Sequence, residues 1–146
     1  MILNKIKSPS ICLGLYKFVK KNYLVMKKVF YLKTCSTCKR IMSEFDLTDW
    51  EIRELKSKNV TSEELQEMYK ITGSYEALFS KKSTQIKARE IDVKTLKEED
   101  FRDLILDHYS FLKRPVFLTE KEIFVGSEKK NLENLKIFFE NKNDTK

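Results

Sequence analysis

Two cysteines three residues apart, Cys35 and Cys38, are the residues of this chain best suited to chemistry. They fall where a short apolar run, Val29-Phe30-Tyr31-Leu32, gives way to apolar residues at helical spacing (Cys38, Ile41, Met42 and Phe45). Cys35 is therefore expected at the start of a helix. The unpaired backbone N–H groups and the dipole at such an end favour negative charge, which eases ionisation of a thiol held there. The thiolate is the attacking species in disulfide exchange. A second thiol nearly one turn further on lies on the same face and can close an intramolecular disulfide. The economical mechanism for this spacing has Cys35 attack and Cys38 resolve. Lys39 and Arg40 add positive charge nearby in sequence, although side chains turned to solvent contribute little.

Two other readings of the pair stay open. A Cys-x-x-Cys can be half of a zinc site, but zinc takes four ligands and the chain offers only Cys12 and His108 besides, so no metal centre is expected. Cys38 can also be a small apolar residue of the helix face, which would leave a one-cysteine mechanism at Cys35. His108 lies in an apolar pattern and reads as a core histidine rather than a catalytic base.

The elements that must position these groups can be followed along the chain. The run Val29–Leu32 has the continuous apolar character of a strand buried on both faces, and Trp50–Leu55 can form a second strand. Thr61-Ser62-Glu63-Glu64 is a capping box, opening a helix with Leu65, Met68 and Tyr69 on one face and Gly73 at its end. A shorter helix holding Tyr75, Leu78 and Phe79 is expected next, then a polar stretch from Ser80 to Arg89. Thr95 and Glu98 read as a second capping box, before a helix burying Phe101, Leu104, Ile105 and His108. Val116-Phe117-Leu118 and Ile123-Phe124-Val125 pair as a hairpin around Thr119–Glu122. Gly126 and Ser127 lead into a last helix with Leu132, Leu135 and Phe138 inward.

This order, a parallel βαβ unit followed by ββα, predicts an α/β thioredoxin-like (glutaredoxin-like) sheet with a helical insertion. In such folds a proline in the cis form sits opposite the cysteines, and Arg114-Pro115 stands at that point. A cis bond there leaves the preceding backbone open to a partner. The alternative is an ordinary proline at the start of a strand. Arg114 can hold an anionic sulfur or oxyanion, or be a surface charge.

Composition narrows the functional class. A chain of 146 residues with 41% hydrophobic residues, three Gly and two Pro suits a single domain with a sizeable core, and is not disordered. No apolar run approaches the roughly 18 residues needed to span a bilayer. The net charge of +7 suggests a nucleic-acid or membrane-surface partner, but five lysines (Lys5, Lys7, Lys17, Lys20, Lys21) lie in residues 1–26, which hold no acid. The rest of the chain interleaves 24 basic with 22 acidic side chains, as a solvated mixed surface does, so neither direct nucleic-acid binding nor membrane association is expected. Residues 1–26 are expected to be a disordered arm or an over-extended translation start, the second preferred, with Met26 as the first residue. As a signal peptide the apolar stretch Ile11–Val19 is poor, because Lys17 interrupts it and no small-residue cleavage pattern follows. Residues 27–141 are expected to form the domain, and 142–146 to fray. Three cysteines without a convincing secretion signal point to a reducing compartment, the cytoplasm.

The segment Tyr31-Leu32-Lys33-Thr34-Cys35-Ser36-Thr37-Cys38-Lys39-Arg40, the helix through Ala77-Leu78-Phe79, Phe111-Leu112-Lys113-Arg114-Pro115-Val116 and the strand end Val125-Gly126 resemble, in order, the family of ArsC arsenate reductases and the redox-sensing transcription regulator Spx. The resemblance covers about residues 27–141. It implies a thiol–disulfide oxidoreductase with Cys35, Cys38 and Arg114 catalytic, and with Ser36, Thr37, Lys81 and Pro115 contacting the substrate or thiol. It also implies no bound cofactor, glutathione or thioredoxin as external reductant, and a small-molecule or protein disulfide as substrate. The reductase branch carries three oxyanion-binding arginines, of which only Arg114 has a counterpart. Ser80, beside Lys81 and Lys82, and Gly126 stand at the other two positions, and lysine can match the charge but not the bidentate geometry. The Cys-x-x-Cys is what the Spx branch carries, which implies RNA polymerase as a partner and no turnover. The family's usual His-Pro is His108-Tyr109 here. The expectations, in order, are a thiol-dependent reductase, a Spx-like regulator, and an arsenate reductase proper.

Overall fold

Residues 26–144 are described by the computed structural model; Cys12, the stretch Ile11–Val19 and the rest of the basic leader lie outside them. Strand β1 (Lys27–Tyr31) runs parallel to β2 (Glu51–Glu54). Strand β3 (Val116–Thr119) is antiparallel to β1, and β4 (Ile123–Val125) is antiparallel to β3, giving the order β2-β1-β3-β4. Phe30 lies opposite Arg53 on one side and Val116 on the other.

Successive side chains of the two central strands enter opposite cores, as the two-residue strand period requires. Phe30, Val116 and Leu118 join Leu55, Leu65, Met68, Phe79, Phe101, Ile105 and Phe111 on one face of the sheet. Val29 and Phe117 join Ile41, Trp50, Phe124 and Leu135 on the other. Helix α1 (Ser36–Ser43) contributes Ile41 to the second core, and α5 (Lys129–Asn143) contributes Leu135. Helices α2 (Ser62–Thr72), α3 (Thr84–Ala88) and α4 (Glu98–Asp107) pack with the first. This is the thioredoxin-like α/β arrangement that the element order predicts, with α2 to α4 as the insertion.

The expected box at Thr61 forms. Its hydroxyl accepts the Glu64 N–H at 3.1 Å, and the Glu64 carboxylate accepts the Thr61 N–H at 3.0 Å. Gly73 ends α2 with φ at 68°, a conformation that costs residues with a Cβ more.

The expected second box does not form. Helix α4 begins after Lys97, whose N–H donates to the Asp100 carboxylate at 2.8 Å, and Thr95 closes a single 3₁₀ turn (Val93–Thr95). Glu98 serves elsewhere. Its carboxylate accepts from the Ser74 hydroxyl (3.1 Å), Tyr75 N–H (2.6 Å) and Glu76 N–H (3.3 Å). These cap the 3₁₀ turn Glu76–Leu78, which replaces the expected short helix. Unpaired N–H groups from another segment lay within reach, a long-range contact that spacing cannot reveal.

The polar stretch Ser80–Arg89 contains α3, started by the Ser83 hydroxyl accepting the Gln85 N–H at 3.3 Å. Ile86 alone gives it no apolar period. His108 leaves the helix with φ −145° and ψ 131°, and its half-buried ring stacks on Tyr109 at 4.4 Å. Phe45 lies beyond the end of α1 but stacks on Phe139 at 4.5 Å. Helix α5 continues to Asn143, past the expected end at 141, with the Lys142 ammonium 4.3 Å from the centre of the Phe138 ring. Among the described residues, no helix is long and apolar enough to cross a membrane.

Candidate functional site

Strand β1 delivers the cysteines directly. At its end the Cys35 N–H donates to the Leu32 carbonyl at 3.0 Å, and the Lys33 N–H donates to the Glu54 carboxylate of β2 at 3.2 Å, closing the loop. Cys35 is then the N-cap of α1, with φ −88° and ψ 107°, and its Sγ accepts the Cys38 N–H at 3.4 Å. A thiol thus takes the place usually held by a Ser, Thr or Asp oxygen.

The two thiols have opposite surroundings. Cys35 is half-buried, and burial resists its ionisation. The Cys38 N–H, the Cys38 thiol, the Arg114 guanidinium and the Thr37 N–H together outweigh that burial and hold Cys35 below its ordinary value. Cys38 has no exposed surface. Burial, then the neighbouring Cys35, push its thiol up to about 11 against the backbone of Leu32 and the charge of Arg114. The first thiol is thus the more readily ionised and the more accessible of the two.

Cys35 opens on a cleft of about 350 Å³ lined also by Thr37, Ser80, Lys81, Lys82, Lys113, Arg114, Val125, Gly126, Ser127 and Glu128. Four of these are cationic and one is anionic, so the cleft suits an anionic or polar occupant. The Arg114 guanidinium donates from Nη1 to the carbonyls of Ser110 and Leu112, both at 3.4 Å, and the Arg114–Pro115 peptide bond is cis. The Pro115 carbonyl accepts the Gly126 N–H at 2.9 Å, which ties the start of β3 to the end of β4.

Of the residues expected to act, Cys35, Thr37, Lys81 and Arg114 line this cleft. Lys81 also pairs with Glu76 at 2.8 Å. Cys38 lies buried beneath, Pro115 is buried, and Ser36 is an exposed first-turn residue outside the lining. Ser80 and Gly126, which the resemblance matches to two arginines of the reductase branch, both line the cleft. Lys39 and Arg40 are exposed, and Arg40 pairs with Glu44 at 3.3 Å. Lys113, Ser127 and Glu128 escaped the sequence reading. Lys113 had a signal in its place beside Arg114, whereas Ser127 and Glu128 reach the cleft only because β4 ends there. Among the described residues, no group of three or more His, Cys, Asp or Glu could hold a metal ion.

Comparison with known proteins agrees with this arrangement. The global transcriptional regulator Spx of Staphylococcus saprophyticus is 28% identical over 106 residues, covering 69% of this chain and 79% of the relative. The global transcriptional regulator Spx 2 of Bacillus anthracis is 26% identical over 105 residues, with the same coverage. The crystal structure of a putative ArsC family related protein from Bacteroides fragilis superposes with a TM-score of 0.63 at 24% identity, over 75% of this chain and 96% of that one. An arsenate reductase from Vibrio cholerae gives 0.60 at 14% identity, over 76% and 96%. At these identities the structural likeness is one of fold. The ArsC family model, in contrast, matches the sequence itself over residues 30–135, from the buried heart of β1 to the buried Leu135 of α5. The chain therefore belongs to the ArsC family.

Proposed function

We propose that the chain is a cytoplasmic thiol–disulfide oxidoreductase with Cys35 as nucleophile and Cys38 as resolving thiol. The observation that carries this reading is the difference in ionisation across the pair, a lowered thiol at the mouth of a cationic cleft and a raised one buried behind it. In the first step the Cys35 thiolate attacks one sulfur of a partner disulfide, forming a mixed disulfide and releasing the other sulfur as a thiolate that takes a proton from water. Cys35 is then neutral, so the charge that helped to raise Cys38 is gone and Cys38 ionises more easily. Its thiolate attacks the Cys35 sulfur, releasing the remaining partner thiolate and leaving a Cys35–Cys38 disulfide. Two electrons have passed to the partner. Two thiols of the glutathione class, or the dithiol of a thioredoxin, return them and leave as a disulfide. Arg114, with Thr37 and the lysines of the cleft, would hold the departing anion.

A second reading is a Spx-like regulator in which the same pair senses oxidation and the partner is RNA polymerase. It is favoured by the curated relatives quoted above, which are named as Spx regulators. One pair of measurements separates the two. Purified protein is assayed for reduction of a small disulfide with glutathione or thioredoxin as electron source, and for retention of RNA polymerase on the immobilised chain. Turnover that Cys35→Ser abolishes supports the oxidoreductase. Retention of polymerase without turnover overturns it in favour of the regulator.

A further inference from the structure

Two loops form the cationic walls of the cleft, and they are joined into one unit. The first carries Ser80, Lys81, Lys82 and Ser83; the second runs from His108 to Pro115. Phe79 and Leu112 pair as an antiparallel bridge. Beside it the Ser80 N–H donates to the Phe111 carbonyl at 2.7 Å, and the Lys113 N–H donates to the Leu78 carbonyl at 2.8 Å. A chain of side chains reinforces the join. His108 Nδ1 lies 2.8 Å from the Ser110 hydroxyl, which lies 2.7 Å from the Ser83 hydroxyl, and Ser83 Oγ accepts the Gln85 N–H that starts α3.

The polarity of this chain is set by its end. The Ser110 backbone N–H donates to His108 Nδ1 at 3.2 Å, which casts Nδ1 as the acceptor of the turn. The hydroxyls of Ser83 and Ser110 can then both point their hydrogens toward Nδ1. His108 thus does what an Asn or Asp does at the head of a turn, accepting the N–H two residues on. That contact orders the 3₁₀ turn Tyr109–Phe111, and the carbonyl of Ser110 within the turn receives the Arg114 guanidinium.

We infer that His108 and Ser110 are positioning residues which, through the Tyr109–Phe111 turn, hold the Arg114 guanidinium in place beside Cys35. The inference rests on the reading of Cys35 as the nucleophile, but not on the identity of any partner. Neither residue touches the reacting sulfur; each acts through Arg114.

The test reads the ionisation of Cys35 in the full chain, from the pH dependence of its alkylation by iodoacetamide, with no substrate or partner present. His108→Ala is expected to move the midpoint upward by about 0.3–1 pH unit, the direction that loss of a nearby cation gives. Arg114→Ala is expected to move it at least as far, and the double variant no further than Arg114→Ala alone, because both act on one contact. His108→Asn, which keeps an acceptor for the Ser110 N–H, is expected to restore the wild-type midpoint. If His108→Ala does not fold, Ser83→Ala cuts the same chain at its other end and is expected to move the midpoint in the same direction. An unchanged midpoint in the folded variant, a shift that adds to that of Arg114→Ala, or no rescue by Asn overturns the inference. A failed reductase assay with these midpoints intact would count against the proposed function alone.

Discussion

Cys35 and Cys38 are the same residue type one turn apart, yet they differ because one meets the cleft and the other the core. A half-buried sulfur that accepts a helix N–H and faces an arginine is stabilised as a thiolate, whereas a buried sulfur beside it is not. Alkylation should therefore go to Cys35 first, with a half-maximal rate at a pH below that of a free thiol. Cys38, buried and raised, should be modified far more slowly than Cys35 at neutral pH. Peptide mapping after brief treatment with iodoacetamide at neutral pH checks this, and equal labelling of both cysteines would refute it. Cys38→Ser is expected to stop the exchange at the mixed disulfide, visible as added mass on Cys35.

Among the elements, α2 shows how a local signal can be drawn into a tertiary one. The capping box is readable in Thr61 and Glu64, but Glu64 also receives Arg53 of β2 through Nε and Nη2, both at 2.8 Å, and Lys28 of β1 at 3.2 Å. The same carboxylate caps the helix and clamps it to two strands. Burial raises Glu64, but Arg53, the Thr61 N–H and Lys28 outweigh it and bring the carboxyl down to about 2. Because the folded value lies below the unfolded one, Glu64 adds stability above about pH 4.5, and that contribution fades as the pH falls toward 2. Glu64→Gln should lower stability at neutral pH by about 1–3 kcal/mol, the range for a hydrogen-bonded charge with its partners left behind. The gap between variant and wild type should narrow on acidification. Thermal melts between pH 2 and 7 would show this, and a gap that stays constant would mean the ion pairs contribute nothing.

At the scale of the whole molecule, the lining of the cleft bears on what the proposed oxidoreductase could reduce. A doubly charged oxyanion beside a thiolate needs several fixed cationic donors, since the two anions repel at close range. Arg114 lines the cleft, as do the uncharged Ser80 and Gly126, the two positions that the resemblance to the reductase branch matches to further arginines. Gly126 adopts φ 84°, so a side chain there would be strained although its Cβ would meet only the Lys113 Cδ, at 4.0 Å. Losing two charged contacts of about 1.5–3 kcal/mol each should slow arsenate reduction on the order of a hundred- to ten-thousand-fold. The measurement is arsenate-dependent NADPH consumption coupled through glutathione or thioredoxin, with Cys35→Ser as control. Efficient turnover abolished by that substitution would overturn the expectation and show that the lysines suffice.

The sequence by itself determined the sheet, the helix start at Cys35 and the box at Thr61. These rest on contacts between near neighbours and on apolar periods, which composition and spacing carry directly. It also brought Cys35 and Arg114 together in prospect, because strand order in this fold leaves little choice. Tertiary structure alone decided where Glu98 went, since the N–H groups it caps lie some 23 residues away in the chain. It alone assembled the lining of the cleft from four separate segments, and separated Ser36 and Pro115 from that lining. The hydrogen-bonded line from His108 to Ser83 belongs to the same class, because Ser83 and Ser110 lie 27 residues apart in the chain and meet beside the Phe79–Leu112 bridge. Apolar period shows which face of an element is buried, but which polar atom meets which is settled by the packing that follows.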